Sequence, residues 1–154
     1  MAKKISAIVT LLNKLLVIEL TASDVYWQQY STLKDLRYRR LAKHRKGDAK
    51  EERGHAQRLI DRILQLDGDV QFERATVDPG MDVAAILRVG LKLEIQAREV
   101  YTPALAEVMA AGDHVTRDIL AENQLANEEG VHWHEQQLRL IEQMSLANFL
   151  QAQL

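Results

Sequence analysis

The sequence sets a carboxylate and an imidazole where leucine belongs. From residue 41 onward, steps of three and four pick out Leu41, Arg45, Asp48, Glu52, His55, Leu59, Ile63 and Leu66. At about 100° per residue all of these share one face of a helix. The stripe is apolar at its far end, so it faces a core. Burying Glu52 and His55 bare would be costly, so they must be paired, hydrogen-bonded or bound to a metal. Two more helical stripes carry the same anomaly. Glu19 interrupts Ile5, Ile8, Leu12, Leu15 and Tyr26, and Glu94 interrupts Val83, Leu87, Leu91, Tyr101, Leu105 and Val108. Any one of these glutamates could be a buried carboxylate paired with Arg, Tyr or Lys. Three at mid-helix, with a histidine beside one, point to metal coordination inside a helix bundle.

The rest of the chain fits an all-α fold. The 154 residues suit one domain spanning 1–154 with a sizeable core. Aromatics make up 5%, and there are two prolines and seven glycines, so strand formers and turn residues are both scarce. A net charge of −2 supplies no basic field for nucleic acid or an anionic membrane. Cysteine is absent, which excludes disulfides and thiol chemistry and fits a reducing cytoplasm. The basic-then-apolar start, Met1 to Leu16, resembles a signal peptide only superficially. Asn13, Lys14 and Glu19 interrupt it, no small-residue cleavage site follows, and it reads as a helix and not as a membrane segment.

Periodicity and capping signals predict helices over roughly 4–32, 34–67, 82–111, 113–144 and 146–153. Gly68 stops the second, Asp82 caps the third, Gly112 ends it, and Asp113 and Ser145 cap the last two. Pro103 should kink the third helix or loosen one of its turns. Two connections are very short and make antiparallel hairpins. The segment 69–81 is long enough to cross the length of a bundle.

A dinuclear centre of iron or manganese in such a bundle takes one glutamate from each of two helices and Glu-x-x-His from each of the other two. Residues i and i+3 share a face, so one side chain can bridge two metals while the other binds one terminally. Carboxylate and imidazole suit iron or manganese. Glu19, Glu52, His55 and Glu94 supply three helices. The fourth carries Glu129-Gly130-Val131-His132, but its inward stripe, set by Leu120, Leu138 and Ile141, runs through Asn127, Gly130 and His134. Glu129 and His132 point roughly 140–160° away unless a π-bulge near Gly130 shifts the register. His134 is either a core histidine or a replacement ligand, and Glu129 and His132 are either surface residues or a shifted ligand pair. Tyr26 and Tyr101 are placed to bond inner carboxylates.

Three further features stand outside the site. The basic run Arg37 to Lys46 circles its helix, as a solvated or intersubunit surface would. Trp27, Trp133 and Leu125 fall off the inward stripes and suggest oligomer contacts. The uncharged ending Leu146 to Leu154 should dock against something.

With these residues in view, the chain resembles a bacterioferritin. The matching pieces are Asn13-Lys14-Leu15-Leu16 with Glu19 and Tyr26, His55-Ala56, Ile63-Leu64 with Leu66, Asp82-Val83, Leu93-Glu94, Arg117-Asp118, Glu128-Glu129-Gly130, Trp133, and the tail Asn148 to Gln153. The resemblance spans essentially the whole chain. It implies a ferritin-like four-helix bundle plus a short C-terminal fifth helix, assembled into hollow twenty-four-subunit cages. It also implies Fe(II) oxidation at a di-iron site within each subunit, with ferric mineral stored inside. Bacterioferritins bind haem through a methionine beside the second-helix glutamate. That position is Arg53 here, so the resemblance does not carry haem to this chain. Aligned without gaps, the family's fourth-helix glutamate and histidine fall on Asn127 and Gly130; aligned on Glu128-Glu129-Gly130, Val131 takes the histidine's place, so neither alignment supplies both ligands. The expectation is therefore an iron-storage subunit with an incomplete di-iron centre at Glu19, Glu52, His55 and Glu94, holding two irons or one. Its ferroxidase activity should be impaired, with Glu94 keeping a weaker second metal. The alternative is a ferroxidase-deficient structural subunit that co-assembles with a complete bacterioferritin chain. A DNA-coating relative is disfavoured, because Lys3-Lys4 is the only tail charge.

Overall fold

A computed structural model describes residues 1–154 as five helices: α1 (Ala2–Asp35), α2 (Arg39–Gln65), α3 (Val83–Ala111), α4 (His114–Met144) and α5 (Leu146–Gln151). There is no strand. α1 and α2 form one hairpin and α3 and α4 the other, with α1 against α3 and α2 against α4. This is a four-helix bundle with a short fifth helix.

The first hairpin turns later than the sequence spacing predicts. Leu33 is buried, so α1 gains by continuing to Asp35, and α2 starts only at Arg39. The reversal falls on Arg37, held at φ 70°. At the other end α2 stops at Gln65, not at Gly68. Asp67 takes the left-handed conformation at φ 55°, while the Gly68 N–H returns to the Ile63 carbonyl at 2.9 Å. Gly68 is needed for another reason: a Cβ there would stand 2.7 Å from both methyls of Val9 on α1. The caps of the second hairpin match expectation. Asp82 accepts from the Ala85 N–H, Gly112 closes α3 at φ 73°, and Asp113 accepts from the Thr116 N–H. Pro103 does not interrupt α3, and it sits on the exposed side.

The 66–82 connection runs along the middle of α1 on a ladder of polar side chains eight residues apart. Asn13 accepts from the Gln71 N–H and donates to the Asp69 carbonyl. Thr21 accepts from the Ala75 N–H, and Gln29 donates to the Pro79 carbonyl. From Asn13 to Gln29 the helix rises about 24 Å. The chain thus travels from the base of the first hairpin to its top, and α3 starts there antiparallel to α1.

Ile8, Leu12, Leu15, Leu16, Leu20, Ala56, Leu59, Ile63, Tyr101, Val108 and Leu120 fill the lower core. α1 is the one helix long and apolar enough to cross a bilayer, yet half of its most apolar stretch is packed inside this bundle. The tail docks as expected: Phe149 is buried among Leu33, Leu41, Ala42, Val83, Ile86 and Leu87. Trp27 and Leu125 are exposed, whereas Trp133 is half-buried and stacks on His44 at 3.8 Å between ring centres.

Candidate metal centre

Glu19, Glu52 and His55 meet between α1 and α2. One ligand atom from each lies within 4.8 Å of the others, and all three residues are buried. His55 Nδ1 is the convergent nitrogen, 3.1 Å from Glu52 Oε2 and 3.7 Å from Glu19 Oε2. The i, i+3 spacing on α2 brings Glu52 and His55 together, and the hairpin brings Glu19 across to them. They border a cavity of about 110 Å³ whose walls include Val17, Ala22, Leu93 and Ala97, with Tyr26, Glu94 and Asn127 at its α3–α4 side. Two hard carboxylates and one imidazole beside such a space suit an iron-like cation.

Two tyrosines tie this centre to α3 in a reciprocal pattern. On α1, Glu19 precedes Tyr26 by seven residues, and on α3, Glu94 precedes Tyr101 by seven. Because the helices are antiparallel, the Tyr101 hydroxyl donates to Glu19 Oε1 and the Tyr26 hydroxyl donates to Glu94 Oε1 at 2.7 Å. Asn123 donates to the Tyr101 oxygen at 3.1 Å. The tyrosines therefore bond inner carboxylates, as their place on the stripes suggests.

Glu94 reaches the same cavity but stands outside the triad. Asn127 Nδ2 donates to its Oε2 at 2.7 Å and to its backbone carbonyl at 2.8 Å. Its carboxyl group fills the space left by Gly130, where a Cβ would lie 2.7 Å from the carboxyl carbon. Asn127 Oδ1 is buried without a partner.

α4 stays a regular α-helix through Gly130, so no bulge re-registers it. Glu129 and His132 remain exposed and lie outside the buried triad, although Glu129 lines a second cavity that Glu52 and Glu94 also line. His134 is buried but likewise apart from the triad. Its Nδ1 donates to the Gly130 carbonyl at 2.7 Å, which leaves Nε2 to accept from Arg45 Nη1 at 3.1 Å. Both ring nitrogens are used, and the ring is a core histidine. Arg45 is 1% exposed, lies 4.4 Å above the Tyr26 ring and pairs with Asp48 at 2.9 Å. Gly90 makes this packing possible, since a Cβ there would fall 2.2 Å from His134 Nε2.

The electrostatics of the centre favour a cation. Burial and the facing Glu19 carboxylate push the Glu52 carboxyl well above its usual range. Burial acts on Glu19 too, but hydrogen bonds from Glu52, His55 and Tyr101, with the charge of His55, hold it below that range. Two carboxylates this close share a proton in the absence of an ion. Burial lifts Glu94 to about 7, against the downward pull of the Tyr26 and Asn127 hydrogen bonds.

The fold and this centre have counterparts in known proteins. Residues 9–144 match the ferritin-like domain. The chain belongs to the ferritin-like family. A bacterial ferritin of Neisseria meningitidis serogroup B is 36% identical over 149 residues, covering 96% of this chain and 97% of that protein. A bacterial ferritin of Pseudomonas aeruginosa is 37% identical over 149 residues, 96% of each chain. A bacterioferritin of Brucella melitensis is 37% identical over 134 residues, 84% of this chain and 81% of that protein. The ferritin-like resemblance in the sequence is thereby established along nearly its full length.

Sequence reasoning missed several parts of this ferritin-like centre. Arg45 and Asn127 fell on the inward stripes, but their partners His134 and Glu94 were not foreseen, and Asn123, which bonds Tyr101, and Gly90, which makes room for His134, were not named at all. A signal existed, since each is a polar or small residue at a position the bundle buries. Their partners lie on other helices, which no single-helix count can name.

Proposed function

We propose that this chain is an iron-storage and iron-detoxifying subunit of the bacterioferritin type. Fe(II), its substrate, is taken up by Glu52, Glu19 and His55. The convergence of these three ligand atoms within 4.8 Å, buried beside a cavity, carries the reading. Family membership supports iron as the metal and a closed multi-subunit shell as the assembly, with twenty-four copies the expected number. A cytoplasmic location accords with a chain free of cysteine. Arg53 is an exposed, charged residue reaching toward Asp24 at 3.4 Å, which offers no thioether to a haem iron.

Aerobic addition of Fe(II) to the purified assembly tests the reading. Saturable formation of ferric iron that disappears in Glu52→Ala supports iron oxidation at this centre. A rate no faster than buffer would remove the ferroxidase part. Native mass measurement tests the shell, and a stable monomer or dimer would count against it.

A second reading has its own support. Asn127 and Gly130 occupy the fourth helix where a complete dinuclear centre places a carboxylate and an imidazole. A subunit of that kind could co-assemble with a complete chain that performs the oxidation. In that case homo-oligomers oxidise iron no faster than buffer, and mixed shells recover the rate in proportion to the complete chain.

A further inference from the structure

Resting on the iron-binding reading above, we infer that the centre is mononuclear: one divalent ion per chain, held by Glu19, Glu52 and His55, with Glu94 acting as a hydrogen-bonded wall residue and not as a ligand.

A second ion beside the first would need oxygen and nitrogen lone pairs from α3 and α4. Glu94 is the one buried carboxylate on those helices, Glu129 being exposed, and both oxygens of Glu94 accept hydrogen bonds. Tyr26 donates to Oε1 at 2.7 Å and Asn127 donates to Oε2 at 2.7 Å. Those two bonds hold the carboxyl group on the Tyr26–Asn127 side, outside the group of ligand atoms formed by Glu19, Glu52 and His55. Asn127 cannot turn its own oxygen inward to compensate without breaking two bonds at once, because Nδ2 also holds the Glu94 carbonyl at 2.8 Å.

The receptacle for Glu94 is built, not accidental. Gly130 sits opposite its carboxyl group, and a Cβ would meet the carboxyl carbon and both oxygens at 2.7 to 3.0 Å. The missing side chain therefore does two things. It removes a possible ligand from α4, and it opens the notch into which Glu94 leans. The buried acceptors that α4 leaves free are the amide oxygens of Asn123 and Asn127. Neutral amide oxygens and one doubly hydrogen-bonded carboxylate make a poor donor set for a divalent cation, which takes four to six good ligands in ordinary sites.

The triad converges as Glu94 does not. His55 Nδ1 and the Glu52 and Glu19 carboxylates point at one another, with no Asn or Gly notch drawing any of them away. Tyr101 donates to one oxygen of Glu19 and leaves Oε2 facing His55.

Anaerobic titration of the metal-free assembly with cobalt(II), read by calorimetry and by visible absorption, decides the matter. The expected result is one tightly held equivalent per chain. It should be lost in His55→Ala, and its absorption bands should be unmoved in Glu94→Gln. Two equivalents per chain in the unmodified protein, or cobalt bands shifted by Glu94→Gln, would overturn the mononuclear assignment while leaving the iron-binding reading intact. No bound cobalt at all would overturn both. The stoichiometry is read on the unmodified protein, so the test does not depend on any variant folding.

Discussion

Arg45 on α2 and His134 on α4 meet at 3.1 Å between Nη1 and Nε2, in a part of the bundle closed to water. The guanidinium is flanked by Asp48 and the Tyr26 ring, and its Nε has no partner. His134 is therefore one of few groups compensating a buried cation. Removing it in His134→Ala should lower unfolding free energy by about 2–4 kcal/mol, because a buried charge loses an acceptor and a cavity opens. Cobalt stoichiometry should be unchanged. Chemical denaturation checks the first and titration the second, and a variant of normal stability that no longer binds metal would reassign His134 to the centre.

The same pair sets a pH dependence. Burial and the neighbouring Arg45 charge hold the His134 imidazole down to about 3, from an ordinary value of 6.5, with a smaller push from His44 and an opposing pull from the Gly130 carbonyl. Asp48 and His44 are the other ionisable groups of α2 beside this cluster. Below 6.5 the unfolded chain takes up a proton that the folded ring refuses, so the contribution of His134 to stability falls as pH falls, by about 1.4 kcal/mol per pH unit. Glu94 and Glu52, held up by burial, slope the other way, so the total is no guide to His134. The difference between the native protein and His134→Gln isolates it. That difference should shrink steadily from pH 7 to pH 4, and a pH-independent gap would mean that the ring charges freely in the folded state.

Within one helix the sequence was legible, and between helices it was not. Stripes of period 3.6 placed Glu19, Glu52, His55 and Glu94 inside correctly, because burial of one face depends only on local spacing. The same arithmetic put Glu129 and His132 outside and His134 inside. It could not tell that His134 faces Arg45, or that Glu94 leans away from the triad into Gly130. Those outcomes depend on which residues a neighbouring helix presents at the same height. The hairpin turn was misplaced for a related reason. Leu33 finds a buried site near the α5 tail, and that tertiary gain extends α1 beyond Thr32.

Two glycines inside helices should respond in opposite directions to alanine. At Gly90 a Cβ would lie 2.2 Å from His134 Nε2 and 3.0 Å from Arg45 Nη2, so Gly90→Ala must displace the buried pair and should cost about 1–3 kcal/mol. At Gly54 nothing lies within 4 Å, and the site is exposed in mid-helix. Gly54→Ala should stabilise by about 0.5–1 kcal/mol through helix propensity alone. Thermal melts of the two variants side by side are the check, and equal shifts of one sign would show that His134 and Arg45 do not need that space. If Gly54 is covered in an assembled shell, its gain should vanish in the assembly and persist in dissociated chains.

α5 has six residues, too few to persist as a helix without support. Its anchors are Phe149, 1% exposed, and two contacts from the start of α2: the Arg40 N–H to the Gln153 carbonyl at 3.0 Å, and the Arg40 guanidinium to the Ala152 carbonyl at 3.3 Å. Phe149→Ala removes the only buried side chain of α5. A core phenylalanine lost from within a long helix costs about 3–5 kcal/mol of global stability. Here the tail can let go without unfolding the bundle, so the global loss is capped at the free energy of docking the tail. Hydrogen exchange should therefore rise sharply after Ser145 while α1 to α4 stay protected. Leu33, Leu41 and Leu87 should become accessible to an apolar dye, because Phe149 is what covers them. Loss of protection throughout the bundle, equal to that in the tail, would show instead that α5 is an integral part of the cooperative core.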